Sequence, residues 1–435
     1  MKILYLLMLI FTLSIFIYFL KVDKRKFILI GLILFSFFIN GVPFDLIGIN
    51  GLSFSIQLFF IYLSVLYFLH TKRKSNVLNF YTLYFLLVIL IVLISNNSLD
   101  FSNYGWSKTF LLIFKAFIPL IGISLLSPFY KEDFKVIFFI FLLGSLLTSL
   151  KLLGFGTLGV RSSIGETNPI PIGREIGFGL TISLLYLLYM NGNSINLKDR
   201  IFIIVISIVY FYALLLTGSR GPLLSILITV ICSFLFFKSK SRAIFRVIVF
   251  CIILFALARS FDFSINNLSI NNPSIDRLLY YTQNFGENTS DEGRIDRIKV
   301  AIKGFKESHM LGVGTGGFSN LYPSSSGKDY PHNMFFEFLV EQGLIGALVY
   351  LMLVIIVVLK LYEEIEKRDI YQKIILILWF YSFVNSMVSA DISGNFAFWI
   401  LGGVSWLSEK IYNSDNKNNV SIQRTTSESL KTQHQ

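Results

Sequence analysis

Cysteine is almost missing from this chain. The two that occur, Cys232 and Cys251, both lie in apolar runs, so neither a disulfide framework nor a cysteine-based metal site can be built from them. Charge is also scarce: Asp, Glu, Lys and Arg make up 15% of the 435 residues, where a soluble domain carries about a quarter. No internal repeat, heptad array or low-complexity tract stands out, which excludes a solenoid or a coiled coil. No set of ligating residues falls at metal-site spacing, so neither a metal nor another cofactor is expected.

What fills the chain instead is apolar. Hydrophobic residues make up 54% of it, with 45 phenylalanines, and the mean hydropathy is +0.68. Apolar runs recur at close to the roughly 20 residues that a helix needs to cross a hydrocarbon core of about 30 Å. They predict spans at 3–20, 27–44, 52–69, 79–95, 107–126, 134–153, 174–190, 201–217, 221–237, 243–258, 333–359, 371–388 and 393–408. The expected fold class is all-α, a polytopic integral membrane bundle of about 12–13 transmembrane helices. The first run lacks a small-residue cleavage site and leads into Lys21-Val22-Asp23-Lys24-Arg25-Lys26, so it reads as a retained span and not as a signal peptide.

The formal charge of +12 would suit nucleic acid, but the basic residues sit mostly in short connectors between spans. That is the signature of cytoplasmic loops, and no nucleic-acid partner is expected. Basic connectors at Lys21–Lys26, His70–Lys74, Lys198–Arg200, Lys238–Arg246 and Lys360–Arg368 alternate with poorly charged ones, among them Gly154–Arg174, Thr217–Gly221, Arg259–Pro331 and Ser389–Asn395. The second set then faces outward. The organisation predicted is an N-terminal bundle of about ten spans at 1–258, one large extracytoplasmic loop with an amphipathic helix at 259–331, C-terminal transmembrane helices at 332–408 and a disordered cytoplasmic tail at 409–435.

Several polar residues are out of place in such a chain. Arg220 sits in Leu216-Thr217-Gly218-Ser219-Arg220-Gly221-Pro222, between two spans that leave little loop. An arginine there can snorkel to the interface, but the flanking glycines and proline open the backbone around a fixed cation. A planar guanidinium that stays charged suits phosphate. Arg161 and Arg174 flank a Gly/Pro-rich outward segment; they can bind an anion or pair with Glu166 and Glu175, and the residues alone leave both readings open. In the long loop Ile295, Ile298, Ile302 and Phe305 recur at helical spacing. Arg294 falls in the first turn of that helix, where an acid would suit the helix dipole better.

Leu311-Gly312-Val313-Gly314-Thr315-Gly316-Gly317-Phe318 has the glycines of a phosphate cradle but lacks the lysine and Ser/Thr of a P-loop, so it reads as a tight turn back to the membrane. The loop ends at Tyr330-Pro331-His332-Asn333-Met334, and His332 thus stands at the mouth of a span. A lone histidine is most often an ordinary polar residue. Arginines nearby would hold its pKa down and leave a neutral imidazole, able to act as a general base.

Four motifs in this order resemble the O-antigen ligase/polymerase superfamily: Thr-Gly-Ser-Arg-Gly at 217–221, Glu-Gly-Arg at 292–294, Leu-Gly-Val-Gly at 311–314, and His-Asn-x9-Gly-x2-Gly from His332 to Gly346. The resemblance covers roughly residues 150–360; the N-terminal spans are similar to the family only in hydropathy. It implies a multispanning glycosyltransferase of bacterial surface-polysaccharide assembly, in the inner membrane with its active face periplasmic or extracellular. The donor implied is an undecaprenyl-diphosphate-linked oligosaccharide reached through the membrane lipid, with no metal or nucleotide. The absence of an Asp-x-Asp pair agrees with that.

By the same resemblance His332, Arg220 and Arg294 are the catalytic residues, and Arg161, Arg174, Asn333 and Ser219 bind substrate. A chain-length regulator and a flippase would be the protein partners. The motifs fit a polymerase that joins repeat units, which is the expectation favoured here, and also a ligase that passes the glycan to lipid A core or another acceptor. A transporter or flippase for the same lipid is the reading from another class. Against it, no pair of matching broken helices appears in two halves of the chain.

Overall fold

The computed structural model describes residues 2–38, 52–71, 77, 79–96, 104–127, 129–155, 169–189, 196–236, 289–323, 329–364 and 368–407. Every regular element among them is helical: α1 (Lys2–Val22), α2 (Lys24–Phe37), α3 (Leu52–Thr71), α4 (Phe80–Ile94), α5 (Tyr104–Leu112), a π-helical turn (Ile113–Phe117), α6 (Ile118–Leu125), α7 (Lys131–Phe155), α8 (Pro169–Tyr189), α9 (Leu197–Leu216), α10 (Arg220–Phe236), α11 (Thr289–Glu307), α12 (Phe318–Leu321), α13 (Met334–Glu341), α14 (Gly343–Glu364), α15 (Ile370–Val388) and α16 (Phe396–Leu407). The chain is an all-α, polytopic membrane protein. Among the described residues six stretches are long and apolar enough to cross a membrane: Phe54–Thr71, Tyr104–Leu125, Lys131–Gly154, Pro169–Tyr189, Leu197–Leu216 and Gly343–Glu363. Four shorter apolar helices accompany them, on α1, α4, α10 and α16.

Between membrane helices the lipid is as apolar as the side chains, so close packing holds the bundle together. Aromatic rings fill it. Phe85 stacks on Trp399 at 4.7 Å, and Phe398, Trp379 and Phe383 continue the stack at 5.0–6.3 Å. A second seam runs from Phe38 through Phe141 and Phe178 to Tyr381 at 4.9–5.3 Å. Gly144 makes room for it, because a Cβ there would meet the Phe38 ring.

The two ends of the bundle differ. At one end Arg25 pairs with Asp133 at 2.5 Å, donates to the Leu126 carbonyl at 3.0 Å and lies over the Phe129 and Tyr130 rings. Asp23 caps α2, and Asp369 with Gln372 forms a capping box on α15. Lys198 and Arg200 in the first turn of α9, Lys360 near the end of α14 and Arg368 just before the cap of α15 lie at this end. The opposite end carries the glycine-rich segment, α11 and His332.

Two expected spans are modified. The run at 333–359 breaks after Gln342: Gly343 has φ +70°, and α13 is an eight-residue helix set off from the membrane-length α14. The run at 107–126 contains the π-turn at 113–117. The span expected at 243–258, the first part of the long loop and the tail lie outside the described residues. The helix expected at Asp291–Lys306 is α11. It packs on α12 and α13 around a small core of Ala301, Phe318 and Val340, while Ile295 stays exposed. The buried edge is thus centred on Ala301 rather than on the isoleucine stripe.

Candidate active site

His332 stands where the descending loop becomes α13. Its φ of +56° is a left-handed conformation that non-glycine residues rarely adopt. Asn333 fixes the junction as the N-cap: its side-chain oxygen accepts from Phe336 N at 3.2 Å, and its amide donates to the Met387 carbonyl of α15 at 3.0 Å. The Tyr330 ring lies 4.4 Å from the imidazole. A strained, over-determined histidine held by a proline, a cap and a ring is a place to look for chemistry.

Arginines surround it. α11 presents Arg294 and Arg297 one turn apart. Arg297 binds Asp329 at 3.1 Å, donates to the Gly293 carbonyl at 3.1 Å and sits over the Tyr322 ring at 4.5 Å. Burial is the first cause that lowers the His332 pKa, followed by Arg297 and Arg294. Asp329 pulls the other way, Arg174 adds to the lowering, and the result is about 4. The imidazole is therefore neutral at physiological pH, as the sequence predicts, with desolvation ahead of the cations as the reason. Tyr330 is pushed the other way, to about 12, first by burial and then by Asp391 and Glu337.

Arg174 comes in from α8. One terminal nitrogen donates to the carbonyls of Ser389 at 2.6 Å and Asn385 at 3.1 Å, the other to that of Gly394 at 3.5 Å. Its own carbonyl accepts from the Tyr381 hydroxyl at 3.0 Å. Arg174 thus ties α8 to the end of α15 and to the turn that follows.

Arg220 opens α10 directly after the turn at Thr217–Ser219, where Gly218 has φ +58°. Ser219 donates from its backbone to Thr217 Oγ1 at 3.2 Å and from its hydroxyl to the Pro169 carbonyl at 3.3 Å, so the turn packs on the start of α8. Gly173, beside Arg174, permits the contact, since a Cβ there would lie 3.1 Å from Ser219 Cβ. Arg220, Ser219, Arg174, Arg294, His332 and Asn333 therefore share one end of the bundle, with Arg174, Arg294 and Arg297 as the arginines that bear most on the imidazole. Arg161 lies outside the described residues.

The glycine-rich segment has another task. Gly312, Gly314 and Gly316 take φ values of +89°, +90° and +77°. The amide of Val313 donates to Val340 O at 2.8 Å, that of Gly314 to Glu341 O at 2.9 Å and that of Thr315 to Ser95 O at 2.9 Å. Thr315 Oγ1 donates to Val92 O at 2.8 Å. These donors close the C-terminal ends of α13 and α4, and a phosphate would have to displace them.

Arg297, Asp329, Tyr330, Asp391 and Lys108 carry no mark in the sequence that sets them apart as members of this site. Among the described residues no His/Cys/Asp/Glu group has the form of a metal site. The arrangement offers a neutral base within a field of fixed positive charge, which can deprotonate a hydroxyl and hold a polyanion.

Residues 202–351 match the family model described as O-antigen ligase. The matched segment runs from α9 into α14 and contains Arg220, Arg294 and His332. It bears out the resemblance to the O-antigen ligase/polymerase superfamily, a family of glycosyltransferase-like membrane enzymes. No curated protein matches the chain.

Proposed function

We propose that this chain, with an O-antigen ligase domain at 202–351, is a surface-polysaccharide polymerase. It joins undecaprenyl-diphosphate-linked repeat units on the outer face of the bacterial inner membrane. The observation that carries the reading is the imidazole of His332, kept neutral by burial and by Arg297 and Arg294. His332 takes the proton from an acceptor hydroxyl. The hydroxyl oxygen attacks the anomeric carbon of the donor, and the bond from that carbon to the diphosphate oxygen breaks. The bonding pair leaves with the diphosphate, and Arg220 and Arg294 meet the charge that develops there.

Arg174, Ser219 and Asn333 support the substrate side by fixing α8, α10 and α13 around the site, and Arg161 belongs to the same substrate-binding set. Basic connectors at the opposite end favour an outward-facing site. A carrier lipid then reaches it sideways from the bilayer, and a flippase and a chain-length regulator are the partners such a reaction calls for.

A ligase is the second reading, favoured by the description of the matching family. Replacing His332 by Ala, with membrane insertion confirmed, and running the surface glycan of the producing bacterium on a gel tests both. Collapse of the ladder to single-repeat material supports the polymerase. Polymer that stays on the carrier lipid identifies a ligase. An unchanged ladder removes His332 as the base and with it the mechanism.

A further inference from the structure

One buried charge cluster takes no part in the chemistry above. Lys108, in the second turn of α5, donates to both oxygens of the Glu341 carboxylate at 2.7 Å and forms an ion pair with Glu337. Exposure is 2% for the lysine, 0% for Glu337 and 1% for Glu341. Apart from the lysine, no hydrogen-bond partner is found for either oxygen of Glu337, so this buried carboxyl depends on Lys108.

Both acids lie on α13, one turn apart, and α13 is the short helix that His332 and Asn333 head. Glu337 N donates to Asn333 O at 3.0 Å, which places the acid on the first turn below the imidazole. Tyr104, on the same face of α5 as Lys108, lies 5.2 Å from the ammonium and donates to Asp391 at 2.8 Å. Asp391 in turn accepts from Ser393 at 2.9 Å and from Gly394 N at 2.6 Å. That organises the turn whose carbonyls hold Arg174.

A buried carboxylate that loses its only cation is strongly disfavoured. Two of them on eight residues leave α13 a poor fit against α5 unless the lysine is present. We infer that Lys108 is a positioning residue for His332: by binding both Glu337 and Glu341 it seats α13, and so sets the place of the imidazole relative to the arginines. The consequence for catalysis rests on His332 being the base; the consequence for its position does not.

The test separates the two. In membranes, diethyl pyrocarbonate modifies neutral imidazoles, and the rate at His332 can be read by mass spectrometry against His309, an exposed residue in the turn after α11. Lys108→Met should change the His332/His309 ratio several-fold and slow glycan formation about 100-fold, the scale of a 1 Å misplacement. The charge-free triple variant Lys108→Met/Glu337→Gln/Glu341→Gln should bring both back toward wild type.

Lys108→Met with a wild-type ratio overturns the inference, and so does a triple variant whose ratio stays displaced. If Lys108→Met fails to accumulate in the membrane, the triple variant decides by the same criterion. Ratios that follow the prediction while the glycan is unchanged in every variant leave Lys108 as the positioning residue and refute the catalytic role of His332 instead.

Discussion

The acid limb of activity should report the His332 imidazole. A protonated imidazole cannot accept the hydroxyl proton, so the rate is lost as pH falls through the pKa of the folded enzyme, about 4. Replacing Arg297 by Gln removes the largest charge that opposes protonation and leaves burial in place. It also frees Asp329 from its 3.1 Å partner, which acts in the same direction. The pKa must therefore rise, toward the ordinary 6.5 but not past it.

At pH 5 a base with pKa 4 is about nine-tenths neutral, and one released fully to 6.5 is about 3% neutral, so the loss at that pH has a ceiling of about 30-fold. Initial rates of polymer formation are measured in membranes supplied with the bacterium's own carrier-linked repeat units, from pH 4 to 8. Each variant is scaled to its own maximum, so that any loss of loop anchoring cancels. Asp329→Asn is the control of opposite sign, because it removes the one large charge that raises the pKa and should leave the limb in place or move it toward acid. An Arg297→Gln limb that superimposes on wild type, or shifts to lower pH, refutes the assignment of that limb to His332.

Arg220→Ala and Arg294→Ala should each remove about 3–4 kcal/mol of transition-state stabilisation, seen as a 10²–10³-fold fall in glycan formation with the protein still inserted. Lysine at either position should restore only part of it, since a point charge does not replace a planar fork. Gly312→Ala puts a Cβ 2.5 Å from Gly343 N and 2.6 Å from Glu341 O at a φ of +89°; strain of at least about 1–3 kcal/mol should lower the unfolding temperature in detergent. Arg25→Ala leaves Asp133, with its side chain 2% exposed, without its cation. It should cost about 3–5 kcal/mol of stability, while the His332/His309 labelling ratio stays at wild type because the pair lies at the other end of the bundle.

Hydropathy made the membrane class and most helix positions legible, because in lipid a backbone must satisfy its own hydrogen bonds and a run of Phe, Ile and Leu has few other options. It failed where the same composition covers a break. Residues 333–359 read as one span, yet Gly343 turns the chain and α13 stands apart from α14. The signal was present in Gln342-Gly343, polar and flexible within an apolar run, but hydropathy averages it away. The helical spacing of Ile295, Ile298, Ile302 and Phe305 marked α11 as amphipathic but not which edge docks: Ile295 is 53% exposed, whereas Ala301 is fully buried. A helix that docks on another buries its small residues for close approach, and an isoleucine beside lipid costs nothing to expose.

The site shows the same division. His332, Arg220 and Arg294 stood out because each is a polar residue where lipid or helix physics looks unfavourable, and the structure puts all three at one end of the bundle; α11 begins at Thr289, however, so Arg294 lies in its second turn and not in the first. Arg297 was not, since on a surface helix it looks like any solvated cation until Asp329 and Tyr322 are found around it. Lys108 was missed for a related reason: a charge at the start of an apolar run is read as the edge of a span. Its 2% exposure and two glutamate partners put it inside the bundle. A cation one residue inside a predicted span boundary, with two acids spaced one turn apart on a later helix, is therefore a pattern that sequence alone can flag. Without the fold it cannot say that the acids belong to the short helix that His332 heads. The same holds for the glycine-rich segment, whose positive φ values are legible as glycine but whose amide partners, Val340, Glu341 and Ser95, come from two distant helices. What distinguishes a phosphate cradle from a helix stop is whether those amides are free, and that depends on tertiary contacts that glycine spacing does not encode.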